Sequence, residues 1–192
     1  MPDRFHVKRA TLVCAALLVA AGAATAPLYA GRGSDDNRGA RALLRDASGL
    51  PVGVVRLSED EGEVVVRASV QGLSPGFHGF HIHAVGACTP PFTSAGGHYN
   101  PGGTGHGAHA GDMLSLLVAD DGTAQVRFTS DRFDVSELFD ADGSAVIVHA
   151  LPDNFANIPT RYHSHTENTL GPDSATLATG DSGGRVACGV VQ

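Results

Sequence analysis

The chain has 192 residues, of which 42% are hydrophobic, enough for one core and too few for two comfortable domains. Its formal net charge of −7 argues against nucleic acid or an anionic membrane surface as a partner. With 25 Gly, 10 Pro and no Trp, and few long periodic apolar stretches, the pattern favours turns and short strands over helices.

In chain order, Arg4, Lys8 and Arg9 precede an uncharged apolar run from Ala10 to Ala24, and small residues follow. This is the pattern of a secretory signal peptide, assigned to residues 1–30 with cleavage near Ala23 or Ala30. The run of about 15 residues is short of the roughly 20 that a spanning helix needs, so no membrane span is expected in the mature form. Cys14 lies early in the run behind Val13 and reads as an apolar leader residue rather than a lipid-attachment site. Removing residues 1–26 takes away three basic groups and one acidic group, moving the net charge from −7 to −9. Residues 31–39 (GRGSDDNRG) form a polar, flexible lead-in, and the folded domain is assigned to 40–192.

The domain reads as strands joined by turns. Leu43 opens the first strand, which turns at Ser48-Gly49-Leu50-Pro51, and Val52–Leu57 is the second. In Glu63–Val70, residues Val64, Val66, Ala68 and Val70 fall on one face and Arg67 and Ser69 on the other. Phe77–Val85 is the fourth strand. Met113–Ala119 and Ala124–Thr129 flank Asp120-Asp121-Gly122, a hairpin signal. A short helical turn is expected at Val135–Phe139, and Ala145–His149 and Arg185–Val191 complete eight strands. Such a set suggests a sandwich or flattened barrel. Two segments, roughly 86–111 and 151–184, fit no strand, and loops of that length in a compact domain are functional or disordered.

Composition decides between those alternatives. Nine of the ten histidines lie between positions 78 and 165. His81 and His83 are two apart on a strand, so their rings share a side while Phe80 and Ile82 point into the core. His98, His106, His109 and Asp112 occur within 15 residues. Three imidazoles and a carboxylate make a tetrahedral donor set for zinc. His81, His83, His98 and His149 would give four nitrogens to a second ion, a set that suits Cu(II). Outside the leader only Cys88 and Cys188 remain, and two cysteines in an exported chain read as one disulfide. Closing a loop of 99 intervening residues is worth on the order of 4–5 kcal/mol in the chain-entropy model.

The stretches G-F-H-G-F-H-I-H, S-A-G-G-H-Y-N-P, H-A-G-D, V-I-V-H and G-G-R-V-A-C-G-V-V resemble, in order and spacing, the copper/zinc superoxide dismutase family over Leu43 to Gln192. The short distance from His83 to Cys88 resembles the bacterial exported branch. The resemblance implies an all-β fold, an eight-stranded Greek-key β-sandwich or flattened barrel with two long functional loops. It implies copper and zinc as cofactors, superoxide as the small anionic substrate, and dioxygen and hydrogen peroxide as products.

By the same resemblance, His81, His83, His98 and His149 match copper ligands, and His98, His106, His109 and Asp112 match zinc ligands. His98 is thus the bridging imidazolate and a proton donor. Asp153 matches a carboxylate that hydrogen-bonds one ligand of each metal. Arg185 matches the catalytic cation beside copper, Cys88 and Cys188 the family disulfide, and His78 a supporting, non-ligating histidine. The mature protein is expected outside the cytoplasm, in a periplasm or at a cell surface, as a monomer or a homodimer. An exported copper-binding or copper-delivery protein with little turnover is the alternative, and the four-His set with Arg185 favours the enzyme. Two features stand apart. Only Gly107-Ala108 separates His106 from His109, and Tyr162-His163-Ser164-His165 has no evident counterpart. The one lysine, Lys8, lies in the leader, so steering of an anion falls to arginines such as Arg161.

Overall fold

The computed structural model describes residues 39–192. The segments read from the sequence as a signal peptide (1–30) and a lead-in (31–39) lie outside them, except that Gly39 already pairs with Ser58 in the first strand. Period-two burial explains the strands. In β1 (Gly39–Asp46), Ala40, Ala42 and Leu44 are buried while Arg41, Leu43 and Arg45 are exposed. β2 (Pro51–Asp60) follows, then a two-residue turn at Glu61-Gly62 with both residues at positive φ, the geometry that matches strand twist. β3 (Glu63–Val70) buries Val64, Val66, Ala68 and Val70 and exposes Arg67 and Ser69, as the alternation predicts.

The expected fourth strand is two. β4 (Gly76–His78) and β5 (Phe80–His83) are separated at Gly79 and join different sheets. Gly79 donates to the Leu151 carbonyl and accepts from His149 N–H, and a Cβ there would meet the Ser182 Cβ at 2.6 Å. The later loop therefore crosses the chain where it changes sheets. β6 (Leu116–Val118) is shorter than expected and pairs with β4, whereas β7 (Ala124–Ser130) pairs with β3. Asp120-Asp121-Gly122 thus makes a corner between sheets and not the expected hairpin. The predicted turn at Val135–Phe139 is a 3-10 helix with an Asp134/Glu137 capping box. β8 (Ala145–His149), a small hairpin of β9 (His163–Ser164) and β10 (Thr169–Leu170), helix α1 (Ser174–Thr179) and β11 (Arg185–Val190) complete the order. The hairpin and α1 fall inside the segment read as loop.

All seven strands of the large curled sheet are antiparallel to their neighbours, in the order β5-β8-β11-β1-β2-β3-β7. Its inner face, with Leu44, Val55, Leu57, Phe80, Ile82, Val146 and Val148, packs with Leu116 of β6 and Leu138 of the 3-10 helix to form the main core. On the other side of β8 and β11, Ile147, Ala145 and Cys188 pack with Phe92, Ala95 and Cys88 from the first long loop. The Cys88–Cys188 disulfide, Cα atoms 5.7 Å apart, ties that loop to β11. Among the described residues no helix is long and apolar enough to cross a membrane.

Candidate metal centre

β5, β8 and β11 lie side by side and carry His81, His83, His149 and Arg185. The free edge of β5 receives the histidine-rich loop. Tyr99 N–H donates to Ile82 O at 2.8 Å and Ile82 N–H to Gly111 O at 2.9 Å. That backbone pairing sets His98 opposite His83 and Asp112 opposite His81. Six histidines from separated stretches are brought together and buried: His81, His83, His98, His106, His109 and His149.

They form two sets that share one ring. The donor atoms of His81, His83, His98 and His149 lie within 4.8 Å of one another, and so do those of His98, His106, His109 and Asp112. Each outer ring nitrogen is held by a fixed partner. His83 Nδ1–H donates to Gly96 O (3.0 Å), His149 Nδ1–H to Gly183 O (3.2 Å) and His81 Nε2–H to Asp153 Oδ2 (2.7 Å). Carbonyls and carboxylates only accept, so these bonds leave lone pairs on His83 Nε2, His149 Nε2 and His81 Nδ1. The first two stand 3.3 Å apart with no proton between them, and His81 Nδ1 has no hydrogen-bond partner. His98 Nε2, likewise partnerless and buried, completes this set.

In the second set, Asp112 Oδ1 lies 2.9 Å from His98 Nδ1, 3.2 Å from His106 Nδ1 and 3.3 Å from His109 Nδ1. His106 Nδ1 is close to that oxygen but not aligned to hydrogen-bond it. Its Nε2–H donates to Asp153 Oδ1 at 2.8 Å. Asp153 therefore holds one ring of each set, and Asp112 Oδ2 accepts from the Gly107 and His109 N–H groups. Buried ring nitrogens left without a hydrogen-bond partner are costly, and a metal cation is what such donors accommodate. The buried, partnerless His81 Nδ1, His98 Nε2 and His106 Nδ1 thus fit two metal ions, an all-imidazole set suited to copper and a His3Asp set suited to zinc.

Burial pushes His81, His83 and His149 down to about 4, 2 and 3. Neighbouring imidazoles add to this, while the Asp153 bond opposes it at His81. Burial also disfavours a proton on His106, yet the Asp112 and Asp153 carboxylates prevail and raise it to about 9. For Asp112 and Asp153, burial is outweighed by the histidine bonds, which hold both carboxyls well below their ordinary range.

The half-buried Arg185 donates to the carbonyls of Phe92 and of Gly96 (2.6 Å), and its field helps depress His83 and His149. Gly96 O thus holds both Arg185 and His83. His78 belongs to neither set, with Nδ1 2.6 Å from His149 O and Nε2 2.8 Å from Ser74 O. The exposed His163 and His165 lie with ring centroids 5.0 Å apart, also outside both sets, and Arg161 stacks on Tyr162.

Several contributors were not read from the sequence. The Gly96, Phe92 and Gly183 carbonyls belong to residues whose side chains carry no signal. Arg132, one arginine among many, reaches the carbonyls of Gly107 and His109 at 3.2 and 3.3 Å. Gly180 caps α1 in the left-handed conformation and lies against Asp153 and His106 so closely that a Cβ would overlap both.

A curled antiparallel β-sandwich enclosing two donor sets with a shared imidazole defines a dinuclear-metal β protein. The sequence model of "Copper/zinc superoxide dismutase (SODC)" matches residues 52–191, and the chain belongs to this family. It is 42% identical over 175 residues to a Cu-Zn superoxide dismutase of Mycobacterium bovis, covering 82% of this chain and 72% of that protein. A Cu-Zn superoxide dismutase 2 of Brassica juncea is 38% identical over 156 residues, 78% of this chain and 94% of that one. Among solved structures, a double mutant of a SOD-like protein from Bacillus subtilis matches with a TM-score of 0.59 and 32% identity, covering 78% of this chain and 95% of its own.

Proposed function

We propose that this protein disproportionates superoxide outside the cytoplasm, with copper held by His81, His83, His98 and His149 and zinc by His98, His106, His109 and Asp112. The observation that carries this is the single ring of His98, whose Nε2 faces one donor set without a partner while its Nδ1 stands 2.9 Å from Asp112 in the other. When bound, copper supplies one-electron cycling between Cu(II) and Cu(I), and zinc supplies a fixed charge. Two superoxide ions and two protons yield one dioxygen and one hydrogen peroxide. His98 Nε2 is the atom at which the chain can hold a proton and release it to the peroxide product. Arg185, fixed by two carbonyls, keeps guanidinium N–H groups for the incoming anion. Its positive charge offsets the net negative charge of the surrounding protein. Asp153 keeps His81 and His106 in the tautomers that present Nδ1 inward.

Export is supported by the apolar leader pattern ending near residue 30 and by the Cys88–Cys188 bond, which fits an oxidising compartment. The test is metal analysis of the purified protein together with a cytochrome c/xanthine oxidase assay. One copper and one zinc per chain with cyanide-sensitive dismutation is expected. Full copper loading without turnover would instead assign the protein to copper binding or delivery.

A further inference from the structure

The outward face of β1, β2, β3 and β7 carries a feature that superoxide chemistry does not use. Cross-strand register sets Arg41 opposite Arg56, Arg56 opposite Arg67, and Arg67 opposite Arg127. Four guanidinium side chains, all exposed, therefore stand in one row across four adjacent strands. With strands about 4.8 Å apart, the row is about 14 Å long at the backbone. Like charges directly opposite one another destabilise a sheet. No described carboxylate comes within ion-pair distance of any of the four. Among the described residues, the one side-chain hydrogen bond the row makes is from Arg67 Nη1 to Ser58 Oγ, at 3.4 Å.

The placement is uneven against the charge of the whole domain. Residues 39–192 contain eight arginines and seventeen carboxylates, so half of the cationic side chains stand in this one line on an acidic protein. Ser69 and Gln125 line the groove on one side of the row, Ser58 and Gln192 the groove on the other. No residue of the metal centre lines either groove.

We infer that this row is a docking site for a linear acidic polysaccharide. Guanidinium pairs with carboxylate through two parallel hydrogen bonds, and a line of four meets a chain bearing regularly spaced acids. The serine and glutamine side chains flanking the row suit sugar hydroxyls. No aromatic residue lines the grooves, so bases have nothing to stack on, which sets single-stranded nucleic acid aside. A broad anionic membrane laid on this face would also meet the exposed acids at the β2–β3 turn, Asp60, Glu61 and Glu63. A thin polymer touches the row alone.

Polygalacturonate is the probe. Binding of the metal-loaded protein, followed by calorimetry or affinity co-electrophoresis at low salt, is expected and should weaken steeply as salt rises. Arg67→Gln, at the centre of the row, is expected to weaken binding about tenfold, whereas Arg161→Gln, an equal change of charge elsewhere, should leave it within about twofold. Dismutation and metal content should be unchanged in Arg67→Gln. Without polymer its melting temperature should rise, because like-charge contacts are relieved. No binding of polygalacturonate, equal losses in the two variants, or preference for anionic phospholipid vesicles or single-stranded DNA would overturn the assignment. None of these results bears on whether the metal centre turns over superoxide.

Discussion

Two side chains illustrate how single residues act at the centre. Asp153 accepts from His81 Nε2 and His106 Nε2 at once. An amide in its place has one acceptor and one donor, so one ring must lose its bond or flip its tautomer. Asp153→Asn is therefore expected to lower zinc affinity by about 10–100-fold, measured by chelator competition. Rates at full metal loading should fall far less. The role proposed for Arg185 rests on charge and position. Arg185→Glu should lower the dismutation rate roughly tenfold or more by repelling the substrate, with copper and zinc content intact. A stopped-flow rate at the wild-type level would remove Arg185 from the mechanism. The residue types at both positions were legible from motif resemblance. That Gly96 O is shared by Arg185 and His83 was not, because a backbone carbonyl has no signature in the residue that carries it.

At the scale of elements, α1 and the segment before β11 carry more of the centre than their length suggests. Asp173 caps the helix start through Thr176 N–H, and Gly180 ends the helix at φ 60°. An added Cβ at Gly180 would be strained by that φ and would also enter the space of Asp153 and His106. Gly180→Ala is expected to destabilise the fold by about 1–2 kcal/mol and to weaken zinc binding more than copper binding, read by a thermal melt and metal titration. The split of the fourth strand at Gly79 belongs to the same scale. The run Phe77–Val85 looks continuous in alternation, and only the crossing of Leu151 and His149 over Gly79 divides it. The turn at Asp120–Gly122 shows the converse. Local turn chemistry specifies a reversal, but which strand each arm joins is set by distant partners.

For the whole molecule, pH and the disulfide make the strongest claims. In metal-free protein, His81, His83 and His149 titrate well below the ordinary value of 6.5. Below pH 6.5 the unfolded chain takes up protons at these positions and the folded chain does not, so folded stability must fall with pH. His106, raised to about 9, is protonated in both states below 6.5 and adds a constant there, its contribution being lost only as pH rises through 9. The melting temperature of the metal-free protein is expected to decline steadily from pH 6.5 to pH 4, and a flat profile would contradict the burial of neutral rings. Cys88→Ser should cost about 4–5 kcal/mol in the chain-entropy model. It should also slow turnover, since the loop tied by Cys88 carries the Phe92 and Gly96 carbonyls that hold Arg185.

The sequence by itself determined the donor types, their grouping as 81/83/98/149 and 98/106/109/112, the cysteine pairing and most of the strands. Each of these is written in residue identity and short-range alternation. Only the tertiary structure decided which nitrogen of each ring faces inward, where Gly180 presses on Asp153, and that four arginines share one line across the sheet. Those facts depend on register and on loops crossing from far along the chain, and no local pattern encodes a neighbour a hundred residues away.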